Sequence, residues 1–220
     1  MADRFVNDDR IATGPPVERL LPPEPTLESL REAAAGCRAC DLWARGTQTV
    51  FGEGAGRARI MLVGEQPGDR EDVEGRPFVG PAGGILDRGL IEAGLTRADV
   101  YVTNAVKHFK WVQRGKRRLH QRPDSGETAA CRPWLEAEVR VVRPGLLVCL
   151  GATAVQAVLG PSVRVLRDRG RPLPSPFGVT AIVTVHPSSI LRAPDPDSRE
   201  RAYADFLADL RAVAHHLSEG

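Results

Sequence analysis

The sequence predicts an α/β protein, a three-layer α/β/α sandwich with a central, mainly parallel four-stranded sheet. Four short apolar runs have the length of buried strands, and amphipathic stretches with helical spacing lie between them. Three of these runs end in polar loops. Because ligands bind outside the carboxyl ends of parallel strands, we expect those loops to meet at one edge of the sheet. The four predicted strands cover residues 59–64, 99–103, 146–150 and 179–185.

The predicted helices alternate with these strands. Residues 1–25 come first and contain five prolines and little periodicity, which predicts a flexible or loosely docked leader without a function of its own. Residues 26–220 show no internal repeat and are expected to form a single domain. The last predicted helix has apolar residues at three- and four-residue steps, which is typical of a helix packed on a core. The predicted helices cover residues 27–35, 81–93, 128–142, 152–159 and 198–217.

Length and composition exclude several classes of protein. The 220 residues are 42% apolar and 26% charged, which suits one globular domain and excludes a collagen, a coiled coil and a largely disordered chain. No stretch of about 18 residues is free of charges and helix breakers, and aspartates interrupt the first ten residues, where a signal peptide needs an apolar run. We therefore expect a cytoplasmic protein with no membrane partner.

One segment concentrates the positive charge. The net charge is only +2, but residues 107–122 hold seven basic and no acidic side chains, which leaves −5 for the rest of the chain. Phe109 and Trp111 are interleaved with these cations. A basic stretch with aromatic residues is typical of a surface that binds nucleic acid, and the alternative is a solvated loop.

The four cysteines favour an inorganic site over disulfides. Cys37 and Cys40 form a C-x2-C pair, while Cys131 and Cys149 are separated by 17 residues and cannot form the second pair of a zinc ribbon. Four thiolates in this arrangement suit an iron–sulfur cluster better than zinc. The alternative for Cys149, which lies inside an apolar strand, is a buried core cysteine.

The polar residues at the predicted strand ends favour base recognition over other chemistry. No P-loop or dinucleotide-binding glycine motif follows a strand, and there is no G-x-S-x-G nucleophile motif. What remains is a carboxylate, Glu65, an amide, Asn104, and an imidazole, His186, next to the basic segment. An amide can hydrogen-bond the edge of a flipped base, an aromatic ring can stack on it, and cations can hold the flanking phosphates. This pattern is typical of a protein that excises bases.

Four motifs and their order resemble the family 4 uracil-DNA glycosylases, and the resemblance extends over roughly residues 27–217. It implies excision of uracil from single- or double-stranded DNA, with release of free uracil, by a monomer in the cytoplasm or nucleoid of a prokaryotic cell. It also implies that the four cysteines, Cys37, Cys40, Cys131 and Cys149, hold a [4Fe–4S] cluster of structural role. The motifs are GEQPG at 64–68, GRPFVG at 75–80, VTNAVK at 102–107 and HPSSILR at 186–192.

The resemblance implies a role for each motif. Phe78 is expected to stack on uracil, Asn104 is expected to read its edge, and Gln66 is expected to bind uracil as well. His186 is expected to contact uracil O2, where negative charge grows as the glycosidic bond breaks. The residues implied to bind DNA, with Ile190 and Leu191 as wedges in the base stack, are Lys107, Lys116, Arg117, Arg118, Ser188, Ser189, Ile190, Leu191 and Arg192.

Two features resemble the UdgX branch of these enzymes. Gln66 stands where family 4 usually has a small residue, and the basic loop carries the sequence KRRLH at 116–120. UdgX proteins stay attached to DNA through the histidine of this loop, which implies that His120 bonds to the deoxyribose C1′ after uracil leaves. Glu65 is then expected to orient the imidazole or to accept its proton. The implied catalytic residues are Glu65, His120 and His186.

Two other functions are compatible with these residues. One is a turnover glycosylase, in which water captures the sugar and His120 only contacts phosphate. The other is a binder of lesions or single strands that uses Trp111 and the basic loop and breaks no bond.

Overall fold

The computed structural model describes residues 14–219, and residues 1–13, the first half of the predicted leader, lie outside the described part of the chain. The strands are β1 (Glu53–Gly54), β2 (Ile60–Gly64), β3 (Val100–Asn104), β4 (Trp111–Arg114), β5 (Arg117–His120), β6 (Leu146–Leu150), β7 (Pro172–Pro174) and β8 (Thr180–Thr184). The helices are α1 (Leu27–Ala35), α2 (Asp69–Glu74), α3 (Pro81–Glu92), α4 (Ser125–Val142), α5 (Ala152–Leu159), α6 (Val165–Asp168), α7 (Pro187–Leu191) and α8 (Pro196–Glu219).

The central sheet contains six strands in the order β1-β3-β2-β6-β8-β7. Its four inner strands are parallel and are those that the sequence predicts, whereas β1 and β7 pair antiparallel at its two edges. The prediction of four strands is therefore corrected to six. The two additional strands have two and three residues, which is too short for an alternating pattern to show in the sequence.

Alternation along the inner strands divides the core into two layers. Ile60 and Leu62 of β2 pack on one face of the sheet, in a cluster with Phe206 of α8 and side chains of α3. Met61 and Val63 pack on the other face, in a cluster with α4 and α5. Because successive side chains of a strand point to opposite faces, both faces of the sheet are apolar and both carry helices. The structure thus has the three layers that the sequence predicts.

A third apolar cluster attaches the N-terminal residues to α4. Val17, which is 1% exposed, packs in it with Leu30 of α1 and Trp134 of α4. Within the described part of the predicted leader, residues 14–25, Val17 is therefore docked on the domain. For residues 1–13 the flexible leader stays a prediction.

Several helix limits differ from those that the sequence predicts. α1 and α5 match them, but α4 begins at Ser125 instead of residue 128, because the Asp124 side chain accepts a hydrogen bond from Glu127 N and caps the helix. α2, α6 and α7 have only six, four and five residues and show no periodicity in the sequence. Within residues 14–219, no helix combines the length and the apolar character needed to cross a membrane.

The basic segment folds as a hairpin, which its sequence pattern does not predict. β4 and β5 pair antiparallel outside the central sheet, from Trp111 opposite His120 to Arg114 opposite Arg117. Gly115 has a φ of 59°, a conformation that glycine adopts easily, and it opens the two-residue turn between the strands. These strands are mostly exposed and charged, so they lack the apolar alternation that reveals a strand.

Candidate active site

Three of the predicted site residues come together at the carboxyl edge of the sheet. Glu65, Asn104 and His186 stand at or just beyond the ends of β2, β3 and β8. Gly64 shows how close they are, because a Cβ on it would lie 2.3 Å from Asn104 Oδ1 and 2.7 Å from Phe78 Cζ. The ring centroids of Phe78 and His186 are 5.8 Å apart. Position 64 therefore requires glycine, because the amide of Asn104 and the ring of Phe78 pack against its Cα and leave no room for a side chain.

Asn104 and Phe78 are positioned for a planar ligand. Asn104 is 2% exposed, and its side-chain amide makes no hydrogen bond to another residue of the described chain. Phe78 has a φ of 56°, a left-handed conformation that is unfavourable for a residue with a Cβ and is concentrated at functional sites. An amide beside an aromatic ring can bind the edge and the face of a base together.

His186 is set as a neutral hydrogen-bond donor. Its Nδ1 accepts a hydrogen bond from Ser188 N at 3.2 Å and lies 2.7 Å from Ser188 Oγ, which itself accepts from Arg192 Nη1 at 2.9 Å. Because Nδ1 is an acceptor, the neutral ring carries its proton on Nε2. Burial lowers the pKa of His186 to about 4; Glu65 opposes this shift and Arg192 reinforces it. The imidazole is therefore uncharged near neutral pH.

Glu65 and His120 form a carboxylate–imidazole pair. Glu65 Oε1 lies 3.1 Å from His120 Nε2, and the two side chains are 22% and 49% exposed. Glu65 Oε2 accepts a hydrogen bond from Thr153 Oγ1. Burial raises the pKa of Glu65, but the hydrogen bonds from His120 and Thr153 outweigh burial and hold the pKa below its ordinary value. Sequence reasoning missed Thr153, although its place just after β6, whose carboxyl end reaches the same edge of the sheet, was a signal for it.

The side chain of Gln66 anchors the hairpin of β4 and β5. Its Oε1 accepts a hydrogen bond from Lys110 N at 3.0 Å, and its Nε2 donates to Lys110 O at 3.2 Å and to Gln121 O at 3.0 Å. Lys110 precedes β4 and Gln121 follows β5, so one amide side chain closes the open end of the hairpin. Backbone groups of the hairpin thus satisfy the side chain of Gln66, and its uracil contact stays a prediction.

Arg118 holds the middle of the hairpin against α2. Its guanidinium pairs with Asp69 at 2.5 Å and with Asp72 at 2.6 Å, and the Asp72 side chain is fully buried. The same guanidinium lies 5.4 Å from the ring centroid of Phe109 and 5.5 Å from that of Trp111. Carboxylates of the protein thus balance the charge of Arg118, and its DNA contact stays a prediction.

The other residues predicted to bind DNA divide into buried and accessible ones. Lys107 is 1% exposed and pairs with Glu138 at 2.5 Å, so its predicted DNA contact is wrong. Ile190 is fully buried in the same layer as α8 and cannot act as a wedge, whereas Leu191 is 36% exposed. The residues that remain accessible are Lys116, Arg117, Ser188, Ser189, Leu191 and Arg192.

The cysteines divide into a group of three and one apart. Burial raises the pKa of Cys131 to about 12, and Cys40 and Cys37 lie near enough to add to this shift. Cys149 lies in β6, fully buried in the layer of α4 and α5, so its predicted role as the fourth ligand is corrected to that of a core cysteine. Among residues 14–219, no three ligating side chains surround a position for a single metal ion.

His108 is a buried imidazole that sequence reasoning missed, and its neighbour in the chain, Lys107, contacts Cys131. His108 is 5% exposed and follows Lys107, whose backbone N donates to Cys131 Sγ at 3.3 Å. Its Nε2 lies 3.0 Å from Thr49 Oγ1, whose own hydrogen goes to Ala34 O. His108 therefore donates from Nε2, and Nδ1 keeps a free lone pair. Burial lowers the pKa of His108 to about 4, so the ring is neutral. Its place directly after the VTNAVK motif was the available signal.

Comparison with known proteins agrees with this arrangement. The Type-4 uracil-DNA glycosylase of Thermotoga maritima is 39% identical over 170 residues, which are 77% of this chain and 85% of the relative. That of Archaeoglobus fulgidus is 34% identical over 188 residues, 82% of this chain and 90% of the relative. The Type-5 uracil-DNA glycosylase of Pyrobaculum aerophilum is 33% identical over 153 residues, 61% and 63% of the two chains. The family model of the Uracil DNA glycosylase superfamily matches residues 51–211, which include every strand from β1 to β8, and the chain belongs to this superfamily.

Proposed function

We propose that this protein excises uracil from DNA and then remains attached to the deoxyribose through His120. The excision is supported by membership of the superfamily and by the side chains that meet at the carboxyl edge of the sheet, an amide, Asn104, an aromatic ring, Phe78, and an imidazole, His186, which suit a flipped pyrimidine. The observation that carries the covalent step is the 3.1 Å contact between Glu65 Oε1 and His120 Nε2, on a hairpin that Gln66 and Arg118 hold in place.

The pocket residues account for the departure of the base. The Asn104 amide offers a donor and an acceptor to the edge of uracil, and Phe78 stacks on its face. As the bond from C1′ to the base breaks, its electron pair passes to uracil, and negative charge grows on O2, where neutral His186 donates a hydrogen bond from Nε2. The sugar becomes an oxocarbenium ion, and the Glu65 carboxylate stabilises its positive charge.

His120 then captures the sugar in place of water. The lone pair of one imidazole nitrogen forms a bond with C1′, and the proton on the other nitrogen passes to Glu65. The uracil anion takes a proton from solvent and leaves as free uracil. The new C–N bond has no good leaving group, so protein and DNA stay linked and each molecule handles one lesion.

A denaturing gel tests this proposal. Protein is mixed with an end-labelled oligonucleotide that carries one uracil, boiled in SDS and run beside a thymine control. A uracil-dependent band shifted by the 23.8 kDa of the chain supports the covalent step. An unshifted oligonucleotide that alkali cleaves at the former uracil supports a turnover glycosylase instead. Intact DNA that alkali does not cleave leaves only DNA binding.

Uracil excision is expected to keep its rate down to about pH 5 and to fall near pH 4, because His186 stays neutral above its pKa of about 4. Glu65, whose pKa is also below its ordinary value, stays ionised over the same range. Both groups lose their active form only as the pH falls, so we expect a single acid limb. Single-turnover uracil release across this range, with circular dichroism to confirm folding, measures it. A midpoint near the ordinary imidazole value of about 6.5 contradicts the buried neutral His186.

We also propose that Cys37, Cys40, Cys131 and His108 hold a [4Fe–4S] cluster. Such a cluster places its ligands on four separate irons, so they stand farther apart than the ligands of a single ion. The free Nδ1 of His108 and the hydrogen bond from its Nε2 to Thr49 have the pattern of a metal-bound histidine with a second-sphere acceptor. When bound, the cluster supplies a structural cross-link between α4 and the loop after α1, and no step of excision passes through it.

Iron content distinguishes His108 from Cys149 as the fourth ligand. After anaerobic purification, the His108→Ala protein is expected to have lost most of its iron and the brown absorption at about 400 nm. Cys149→Val keeps the volume of the core and is expected to retain iron and colour. A brown His108→Ala protein beside a colourless Cys149→Val protein contradicts the assignment. Wild-type protein with stoichiometric zinc and no iron contradicts the cluster itself.

A further inference from the structure

Thr153 lies at the carboxyl end of β6, beside the carboxylate of Glu65. It is the second residue of α5 and is 2% exposed. Gly151 has a φ of 88°, and a Cβ on it would lie 2.9 Å from His186 Cβ, so the turn from β6 to α5 packs directly against the loop of His186. This packing directs the Thr153 hydroxyl to Glu65 Oε2.

The donors around Thr153 determine the direction of this hydrogen bond. Arg122 Nε lies 3.1 Å from Thr153 Oγ1, and a guanidinium can only donate. The hydroxyl therefore accepts from Arg122, and its own hydrogen points to Glu65 Oε2. Glu65 Oε1 is left for His120 Nε2 at 3.1 Å. The result is one chain of hydrogen bonds that runs from Arg122 through Thr153 and Glu65 to His120.

Without this hydroxyl, Glu65 has a competing partner. Arg122 Nε lies 3.9 Å from Glu65 Oε2, and the Arg122 side chain is 54% exposed. A carboxylate released by Thr153 can turn toward this guanidinium and form a two-bond pair with it. Such a turn takes Oε1 away from His120. The Thr153 hydroxyl therefore keeps Arg122 one hydrogen bond away from the carboxylate.

We infer that Thr153 is a positioning residue, which holds Glu65 toward His120 and so favours capture of the sugar by the imidazole over capture by water. The inference rests on the proposed function. The Thr153 hydroxyl bonds to Arg122 and Glu65, and neither of these bonds involves Phe78 or Asn104. The effect of its removal on the side chains that bind the base is therefore small. Because Glu65 also stabilises the oxocarbenium ion, uracil release is expected to slow to some extent, and the larger effect falls on the division between adduct and free abasic DNA.

The ionisation of Glu65 supplies a second readout. Glu65 faces His120 from β5, Arg122 from the segment after β5, and His186 from the loop after β8. The hydrogen bond from Thr153 lowers the pKa of Glu65, so its removal raises that pKa. Glu65 is then protonated at a higher pH, and the acid limb of adduct formation moves to higher pH as well.

Two substitutions of Thr153 test the inference under single-turnover conditions with the uracil oligonucleotide. Thr153→Val keeps the volume and removes the hydroxyl, whereas Thr153→Ser keeps the hydroxyl. We expect Thr153→Val to slow adduct formation about tenfold, the effect of losing a hydrogen bond to a charged group, and to release alkali-labile abasic DNA. Thr153→Ser is expected to behave as wild type. Thr128→Val is the matched control. It removes a hydroxyl from α4 that donates to the backbone oxygen of Asp124 and not to Glu65.

Any other result either overturns the inference about Thr153 or contradicts the covalent step of the proposed function. Adduct formation by Thr153→Val at the wild-type rate and yield overturns it. Equal slowing of the valine and serine variants without abasic DNA also overturns it, because that pattern indicates packing. If the wild-type protein forms abasic DNA and no adduct, the covalent step fails instead. Positioning of Glu65 is then supported only if uracil release falls in Thr153→Val and recovers in Thr153→Ser, and it is overturned if the two agree.

Discussion

His120→Ala is expected to abolish the covalent product while uracil excision continues. The His120 side chain is half exposed at the end of β5, so alanine removes the nucleophile without opening a cavity in the core. The pocket of Asn104, Phe78 and His186 is unchanged, and water takes the place of the imidazole. We expect the adduct yield to fall at least about a hundredfold, because a positioned nucleophile has a large advantage over solvent. Free uracil and alkali-labile DNA are expected to accumulate with repeated turnover.

A histidine elsewhere in the chain provides the control for this variant. His216 lies near the end of α8, where the backbone of Leu217 bonds to Arg59 at the end of the sheet opposite the site. His216→Ala is expected to form adduct as the wild type does. Adduct at full yield from His120→Ala would show that another side chain is the nucleophile. Loss of both adduct and uracil release from His120→Ala would show that departure of the base also needs this imidazole.

Lys107→Met is expected to lower the free energy of unfolding by about 3–5 kcal/mol, because it leaves a buried carboxylate without its cation. Lys107 and Glu138 are 1% and 0% exposed, with Nζ 2.5 Å from Oε2. Lys107 also donates to Thr103 Oγ1 and Asn104 O, each at 2.7 Å. Tyr101 donates to Glu138 Oε1 at 2.9 Å. Urea unfolding near neutral pH measures the loss.

A second substitution separates the effect of charge from that of packing. Glu138→Gln added to Lys107→Met removes the uncompensated charge and keeps an acceptor for Tyr101, so most of the lost stability is expected to return. Lys116→Met, in the exposed hairpin turn, is the matched control and is expected to change stability by less than about 0.5 kcal/mol. It is expected to weaken DNA binding at low salt. An unchanged stability of Lys107→Met, with weaker DNA binding, would return Lys107 to the DNA surface.

The network of Lys107 also connects the base pocket with the group of cysteines. Its side chain holds the backbone oxygen of Asn104, while its backbone N donates to Cys131 Sγ at 3.3 Å. The VTNAVK motif therefore serves two sites at once. Asn104 faces the pocket, and Lys107 supports it from the interior of the protein.

Much of the fold could be predicted because the relevant signals are local. The four inner strands are continuous apolar runs, and their carboxyl ends place Glu65, Asn104 and His186 at one edge in any parallel arrangement. The hairpin of β4 and β5 could not be predicted, because its strands are exposed and charged and the side chain of Gln66 stabilises it from outside. The edge strands β1 and β7 are too short to show a period.

The sequence by itself determined which segments form the inner strands and the main helices along the chain, the family motifs and the presence of a histidine in a basic loop. Each of these is a property of contiguous residues. Only the tertiary structure decided which partners these residues have. In the folded chain Lys107 is buried in an ion pair with Glu138, and the side chain of Gln66 bonds to the hairpin. Cys149 lies in the core, and the hydroxyl of Thr153 bonds to Glu65. The physical reason is that periodicity specifies which face of an element is apolar, whereas a hydrogen bond or an ion pair depends on groups that are tens of residues apart in the chain.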